Sequence, residues 1–388
     1  MHPFSFHNPT AIFFGDGALS KLGEQVSKFG KSILLVYGGG SIKRSGLYDR
    51  VLEQLGSIGA KVVELSGIEP NPRLTTVNKG IELCRTHQVE FILAVGGGSV
   101  IDASKAIAAG AKYDGDVWDF LIRKAAVQDA LPLGTVLTLS ATGSEMNGSS
   151  VITNWEEKQK RGFGSPHVYP RFSILDPTLT YTVPRDQSVN GIVDIMSHVF
   201  EQYFSLTKDT PLQERLCESI LQTVIENADT VLEQPENYAA RANIMWCGTL
   251  ALNGGLISLG MANDWASHGI EHEISAIYDI PHGAGLSIVF PNWMKYVYEA
   301  RPDRFAQFAV RVWGISPEGK SEEELALAGI EATRSFFTRI GAPASLAHYN
   351  IDRENFDRMA EEAVRFGPIG SFKRLEKADV KAIYELSL

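Results

Sequence analysis

Five residues between Asp194 and His282 are of the types, and stand at the intervals, that hold a divalent metal ion. Asp194 and His198 lie four apart in NGIVDIMSHVFEQYF, and His268 and His272 repeat the interval in DWASHGIEHEISAIYDIPHGAG. His282 follows ten residues later, ahead of a glycine. Residues four apart share one helix face, so each pair aims two side chains at one point. Imidazole with carboxylate suits Fe²⁺ or Zn²⁺. A single histidine on a helix is ordinarily a hydrogen-bonded or exposed residue, and Asp194 alone reads as a solvated acid. Two pairs and a third histidine together favour a metal. Spacing does not say which four of the five bind, but five inward ligands would leave no room for substrate, so one histidine is expected beside the ion. The pattern matches neither H-E-x-x-H nor a C-x-x-C zinc site.

A second chemistry is written in glycine. Gly38-Gly39-Gly40-Ser41 follows ILLVY, and Gly96-Gly97-Gly98-Ser99 follows FILAV. Glycine lets a backbone approach a phosphate closely, and a helix behind the loop offers free N–H groups and a positive dipole end. Ser99 is expected to cap its helix, with Asp102 completing a capping box three residues on. Neither loop is G-x-G-x-x-G. Either one alone reads equally well as a tight turn, whereas two at the ends of parallel strands argue for a ligand crevice. A third loop, TLSATGSEMNGSS (138–150), has the hydroxyls and amides to bond a ribose, amide or phosphate, although such composition also marks ordinary surface loops.

The elements that must carry these residues differ between the two halves. SILLVY (32–37), KVVEL (61–65), FILAV (91–95) and TVLTL (135–139) read as strands buried on both faces, alternating with helices such as LYDRVLEQLGSIG. That rhythm implies an α/β domain with a doubly wound, mostly parallel sheet, residues 1–185. From DPTLTYTVPRD (176–186) onward helices dominate, which predicts an all-α metal-binding domain over 186–388, with the active site in the cleft between the two. There, Leu212, Leu216, Ile220 and Val224 mark the apolar stripe of one amphipathic helix. The formal charge of −10 over 388 residues argues against nucleic-acid or anionic-membrane partners. Three scattered cysteines (Cys84, Cys217, Cys247), no signal-peptide pattern and no apolar run of membrane-spanning length point to a soluble cytoplasmic protein.

Nearly the whole chain resembles the iron-containing (group III) alcohol dehydrogenases, in their branch of butanol dehydrogenases and NADPH-dependent aldehyde reductases. The resemblance runs through PTAIFFGDGALSKL, YGGGSIKRSGLYD, GIEPNP, AVGGGSVIDASKAIAA, LTLSATGSEMN, NGIVDIMSHVFEQYF, ENYAARANIMW and IPHGAGLSIV. It implies Asp194, His198, His268 and His282 as metal ligands, with His272 nearby for proton relay or nicotinamide packing. It further implies a cofactor held by Gly38, Gly39, Gly40, Ser41 and Lys43, by Gly97, Gly98 and Ser99 at the pyrophosphate with Asp102, and by Thr138, Thr142, Ser144 and Asn147. Lys160, which otherwise reads as a solvated charge, matches a lysine that contacts the cofactor. A homodimer, paired through an N-terminal strand at AIFF, is also implied. The expected reaction is hydride transfer between NAD(P)H and a small alcohol or aldehyde, butanal-like, on one Fe²⁺ or Zn²⁺. NADP(H) is expected over NAD(H), because the first glycine loop continues Ser41-Ile42-Lys43-Arg44 with no acid until Asp49. The rival expectations are a glycerol-type dehydrogenase, a dehydroquinate-synthase-like lyase, and a non-catalytic nucleotide sensor.

Overall fold

The computed structural model describes all residues 1–388. Eight strands form: β1 (Ala11–Phe14), β2 (Ser32–Tyr37), β3 (Lys61–Leu65), β4 (Phe91–Gly96), β5 (Leu133–Leu137), β6 (Ser149–Asn154), β7 (Gln159–Gly164) and β8 (Phe172–Leu175). Six make a wholly parallel sheet in the order β1-β8-β5-β4-β2-β3, and β6 and β7 form a separate antiparallel hairpin. Alternate residues of a strand face opposite sides. Accordingly, Leu34, Val36, Ile92 and Ala94 join one apolar cluster, while Ile33, Leu35, Phe91, Leu93 and Val95 join the other. Each cluster is roofed by helices, which is why these strands are apolar throughout rather than alternating.

Two strand expectations need correction. The strand expected at 135–139 is shifted two residues back, to Leu133–Leu137, and the Thr138 N–H on the Gly96 carbonyl makes its last bond to β4. β3 is not buried on both faces: it is the sheet edge, and Lys61 and Glu64 are exposed. AIFF is β1, paired with β8 at the opposite edge.

The chain divides into two compact units. One comprises His7–Pro184 with Gln234–Gly254; the other comprises Met1–Phe6, Arg185–Glu233 and Gly255–Leu388. The crossing at Pro184–Arg185 falls inside the Pro- and Thr-rich segment, but the segments 1–6 and 234–254 lie on the other side of the expected division. Packing explains the second: Met245, on the helix Tyr238–Ala251, is fully buried in a core cluster of the sheet.

The helical unit is built around Arg185–Tyr203, whose residues from Gly191 to Tyr203 are all buried. It packs against the helices Pro211–Glu233 and His282–Val297. Phe200, Phe204, Phe290, Trp293, Phe305 and Phe308 form an aromatic core, with Phe204 and Phe305 stacked at 4.3 Å. The stripe expected on Pro211–Glu233 holds in its second half and is rotated in its first. Ile220 and Val224 are buried, but Leu212 and Leu216 are exposed, and Cys217, Leu221, Ala228 and Val231 face inward with the buried pair. Glu214 turns the helix that way, because its carboxylate accepts at 2.7 Å from Arg304, a guanidinium only 2% exposed. All three cysteines are buried thiols.

Candidate metal centre and cofactor loops

In the helix Arg185–Tyr203, the successive intervals of four and three residues bring Asp194, His198 and Glu201 to one side. A second helix, Ala266–Tyr278, carries His268 and His272, and a third, His282–Val297, begins on His282 itself. Asp194 Oδ1 is the meeting point, 3.7 Å from His198 Nδ1, 3.9 Å from His268 Nε2 and 3.7 Å from His282 Nε2. His198 Nδ1 and His268 Nε2 are buried and have no hydrogen-bond partner. Lone pairs left so in a protein interior are costly unless an ion takes them up. These donors therefore fit a divalent transition metal. Burial, and then the charges of His268 and His282, drive the His198 pKa well below its ordinary value, which keeps the imidazole in the neutral form that ligates.

Two carboxylates that the sequence reading passed over aim the imidazoles. Glu201, wholly buried, lies 3.0 Å from His268 Nδ1, and Glu271 is bonded to His282 Nδ1. A carboxylate on Nδ1 requires the proton there, so Nε2 presents its lone pair toward Asp194. Glu201 has a second task. It accepts from the Trp265 N–H at 2.8 Å and the His268 N–H at 3.0 Å, filling the N-terminus of Ala266–Tyr278, which has no side-chain cap of its own. The same bonds hold Trp265 at φ +66°, unfavourable for so bulky a residue. Glycines make room for these contacts. A Cβ on Gly283 would stand 2.2 Å from the Asn190 carbonyl oxygen, and one on Gly285 would meet the Glu271 side chain. His272 is half-buried, its ring 5.5 Å from that of His282. It falls outside the group converging on Asp194.

In the α/β unit, the connections from β2 and β4 run in opposite directions, to β3 and β5, so the sheet order reverses between these neighbours. Such a switch point opens a crevice at the strand C-termini, where ligands of open α/β sheets bind. Both glycine loops emerge there. Gly38 bonds to the Gly67 N–H through its carbonyl, and Gly40 takes φ +96° ahead of the turn Ser41–Arg44. The second loop enters the helix Gly98–Ala111, where a Cβ on Gly98 would stand 2.3 Å from Thr142. The expected cap differs: Gly97 is the residue ahead of the helix, Ser99 is inside it, and no side chain caps it. Asp102 reaches across instead, accepting from Ser144 Oγ at 2.6 Å and the Val151 N–H at 2.9 Å. Desolvation raises its pKa, against the pull of Lys105, those two bonds and Lys160. Ser144 and Asn147, expected to face a cofactor, are buried and spend their polar groups within the protein, Ser144 on Asp102 and Asn147 on the Gly143 and Leu252 carbonyls and the Ser149 N–H. Thr138, Thr142 and Ser99 stay partly exposed, and Lys160 is not solvated but 4% exposed, in β7.

Residues 9–177 match the description "Iron-containing alcohol dehydrogenase", and residues 188–388 match "Fe-containing alcohol dehydrogenase family, C-terminal". The chain belongs to the iron-containing alcohol dehydrogenase family. Among its relatives, the probable NADH-dependent butanol dehydrogenase 1 of Bacillus subtilis is 56% identical, each chain covered completely. An NADPH-dependent aldehyde reductase of Escherichia coli is 42% identical over 95% of this chain and 94% of its own. The crystal structure of an NADH-dependent butanol dehydrogenase A from Thermotoga maritima superposes with a TM-score of 0.95 at 43% identity, covering 100% of this chain and 99% of the other. This iron-containing alcohol dehydrogenase therefore shares its fold along its whole length with a dehydrogenase solved by crystallography.

Proposed function

We propose that the protein is a metal-dependent alcohol dehydrogenase and aldehyde reductase that interconverts small primary alcohols and aldehydes of butanol size with NAD(P)H. The observation that carries this reading is the convergence of His198 Nδ1, His268 Nε2 and His282 Nε2 on Asp194 Oδ1, in a chain that also bears two glycine loops at a sheet switch point. Asp194, His198, His268 and His282 would hold the ion. The nicotinamide, when bound, supplies the hydride, and the divalent ion supplies Lewis-acid polarisation of the substrate oxygen. Glu201 and Glu271 keep Nε2 of His268 and His282 unprotonated, and three neutral imidazoles against one carboxylate leave the centre net positive where oxyanion charge develops. His272, close by but not converging, carries the proton between that oxygen and solvent. The family description supports iron as the ion; zinc suits the same donors.

The Lys43 charge supports NADPH: its ammonium stands over the rings of Tyr37 and Tyr48, 5.2 and 4.5 Å from their centres. The nearby acid, Glu64, opposes it, because both tyrosine hydroxyls bond its carboxylate, at 2.6 and 2.7 Å, and these bonds lower its pKa and so keep its negative charge. The relatives' names favour NADH instead: those of the Bacillus and Thermotoga proteins specify it. The exposed β1 edge, with Phe14 42% exposed, supports a homodimer.

The test is the loss of nicotinamide absorbance when metal-stripped protein meets butanal with NADPH or NADH, before and after anaerobic Fe²⁺ or Zn²⁺. Metal-dependent oxidation of the cofactor is expected, with the higher kcat/KM for NADPH. A higher value for NADH overturns the cofactor choice alone. No turnover in protein that binds both metal and nucleotide overturns the reaction.

A further inference from the structure

Lys105, third residue after Asp102 on the helix Gly98–Ala111, is completely buried in the α/β unit. A buried ammonium is expensive, and an apolar side chain of similar length would fill its space at less cost. It is kept by three acceptors, all in one short stretch of chain: Ser144 Oγ at 2.7 Å, Asn147 Oδ1 at 3.0 Å and the Ser149 carbonyl at 2.8 Å. These acceptors are themselves tied on. Ser144 Oγ donates to Asp102 Oδ1, Asn147 donates to the carbonyls of Gly143 and Leu252, and Ser150 Oγ donates to the Asp102 carbonyl. Lys105 thus satisfies all three ammonium hydrogens on the third polar loop, the loop that presses Thr142 against Gly98 at the mouth of the second glycine loop.

We infer that Lys105 is a positioning residue of the cofactor site, fixing the 142–150 loop against the helix behind the second glycine loop so that both approach the dinucleotide in one arrangement. The inference rests on the proposal that these loops hold the cofactor. Lys105 touches no cofactor and takes no part in the chemistry; it acts through Ser144 and Asn147. The charged groups around it are Asp102 on its own helix, Glu145 on the loop, and Lys160 on β7, which faces Asp102. Glu145 is wholly enclosed and bonded to Thr249; burial raises its pKa, which favours the protonated form. Burial lowers the Lys105 pKa to about 8, against the pull of Asp102 and Glu145.

The test measures dissociation constants of NADH and NADPH by nicotinamide fluorescence on metal-loaded, full-length protein. Lys105→Met should raise both by about tenfold, the value of a charge-assisted hydrogen bond, while metal content and the alcohol KM at saturating cofactor stay unchanged. Lys105→Arg, which keeps the charge and the donors, should restore most of the affinity. Between about pH 7 and pH 9 wild-type affinity should fall as the ammonium deprotonates, whereas Lys105→Arg should stay flat, since guanidinium does not titrate there. A folded Lys105→Met protein with wild-type constants overturns the inference. Should that variant not fold, equal pH profiles for wild type and Lys105→Arg overturn it. Gly98→Val separates the underlying reading: its loss of cofactor binding supports the loops as the cradle, and unchanged binding removes that premise along with the inference.

Discussion

Glu201→Gln isolates the aiming of the His268 imidazole from everything else at the centre. The side chain is buried, so the substitution keeps volume and removes one acceptor oxygen and the charge. In the native protein Oε1 takes both His268 bonds and Oε2 takes the Trp265 N–H. An amide can satisfy only one of these sides. With its NH₂ toward Trp265, two donors oppose each other in a dry interior, at a cost of about 1–3 kcal/mol. With its NH₂ toward His268, the imidazole must accept at Nδ1 and carry its proton on Nε2, which takes away the lone pair directed at Asp194. Either arrangement weakens the site. Metal affinity should fall by about 10–100-fold, the usual loss when a group that orients a ligand is changed, equivalent to about 1.4–2.8 kcal/mol. Competition against a chromophoric chelator, with Zn²⁺ in air and Fe²⁺ under argon, measures that constant, and urea unfolding of the metal-stripped proteins measures the fold's share. A folded variant that binds metal within about twofold of wild type would refute the argument that Glu201 sets the His268 tautomer.

Three further outcomes follow from the same geometry. His272→Ala should retain one metal per chain by elemental analysis yet turn over about 10²–10⁴-fold more slowly; loss of the metal would make His272 a ligand. Gly283→Ala drives a methyl group into the Asn190 carbonyl, displacing the start of the helix that bears His282. It should cost about 1–3 kcal/mol in urea unfolding and weaken metal binding too, whereas Gly39→Ala, with open space around its Cβ position, should leave stability unchanged. The metal-stripped protein should be less stable in acid. The unfolded chain protonates His198 near pH 6.5 and the folded chain resists, because burial lowers that pKa. The His198 contribution is therefore fully retained above about pH 6.5 and lost as pH falls below it, by at most about 1.4 kcal/mol per unit. Urea midpoints at about pH 7.5 and pH 5.5 measure the loss, and His198→Asn should remove that part of it.

The convergence on Asp194 was legible because helix periodicity converts an interval of four into a shared face, and Asp194 and His198 obey it directly. His282 was legible only through chemistry and resemblance, since nothing local tells where a helix beginning on that residue will lie. Glu201 and Glu271 were hidden among the chain's other acids: a buried carboxylate differs from a solvated one by what it meets, and its partners here sit on other helices or 11 residues away. The same reason concealed Lys105 and Glu64. The burial of Lys160 and the inward turn of the first half of Pro211–Glu233 were hidden in a related way, because charge ordinarily marks the wet side of an element. Paired or enclosed charges such as Glu214 with Arg304 reverse that rule. Four strands could be read because a sheet covered on both faces leaves continuous apolar runs, whereas β8, only four residues long, and the hairpin β6–β7 could not. Edge strand β3 kept enough Val and Leu to resemble its central neighbours.

The return of Gln234–Gly254 to the α/β unit has a consequence for synthesis. A nascent chain that ends at Pro184 already holds all eight strands. It still lacks Met245 for one apolar cluster, Thr249 for the enclosed Glu145, and the Leu252 carbonyl that Asn147 bonds. The 68 residues from Arg185 to Leu252 must be added first, which at about 5–20 residues per second takes roughly 3–14 s. For that interval the sheet is complete in hydrogen bonds but not in packing. The glycine loops therefore reach their final setting only after both long helices Arg185–Tyr203 and Pro211–Glu233 have been translated, so an amino-terminal fragment cut at the apparent boundary would carry both loops on an unfinished core.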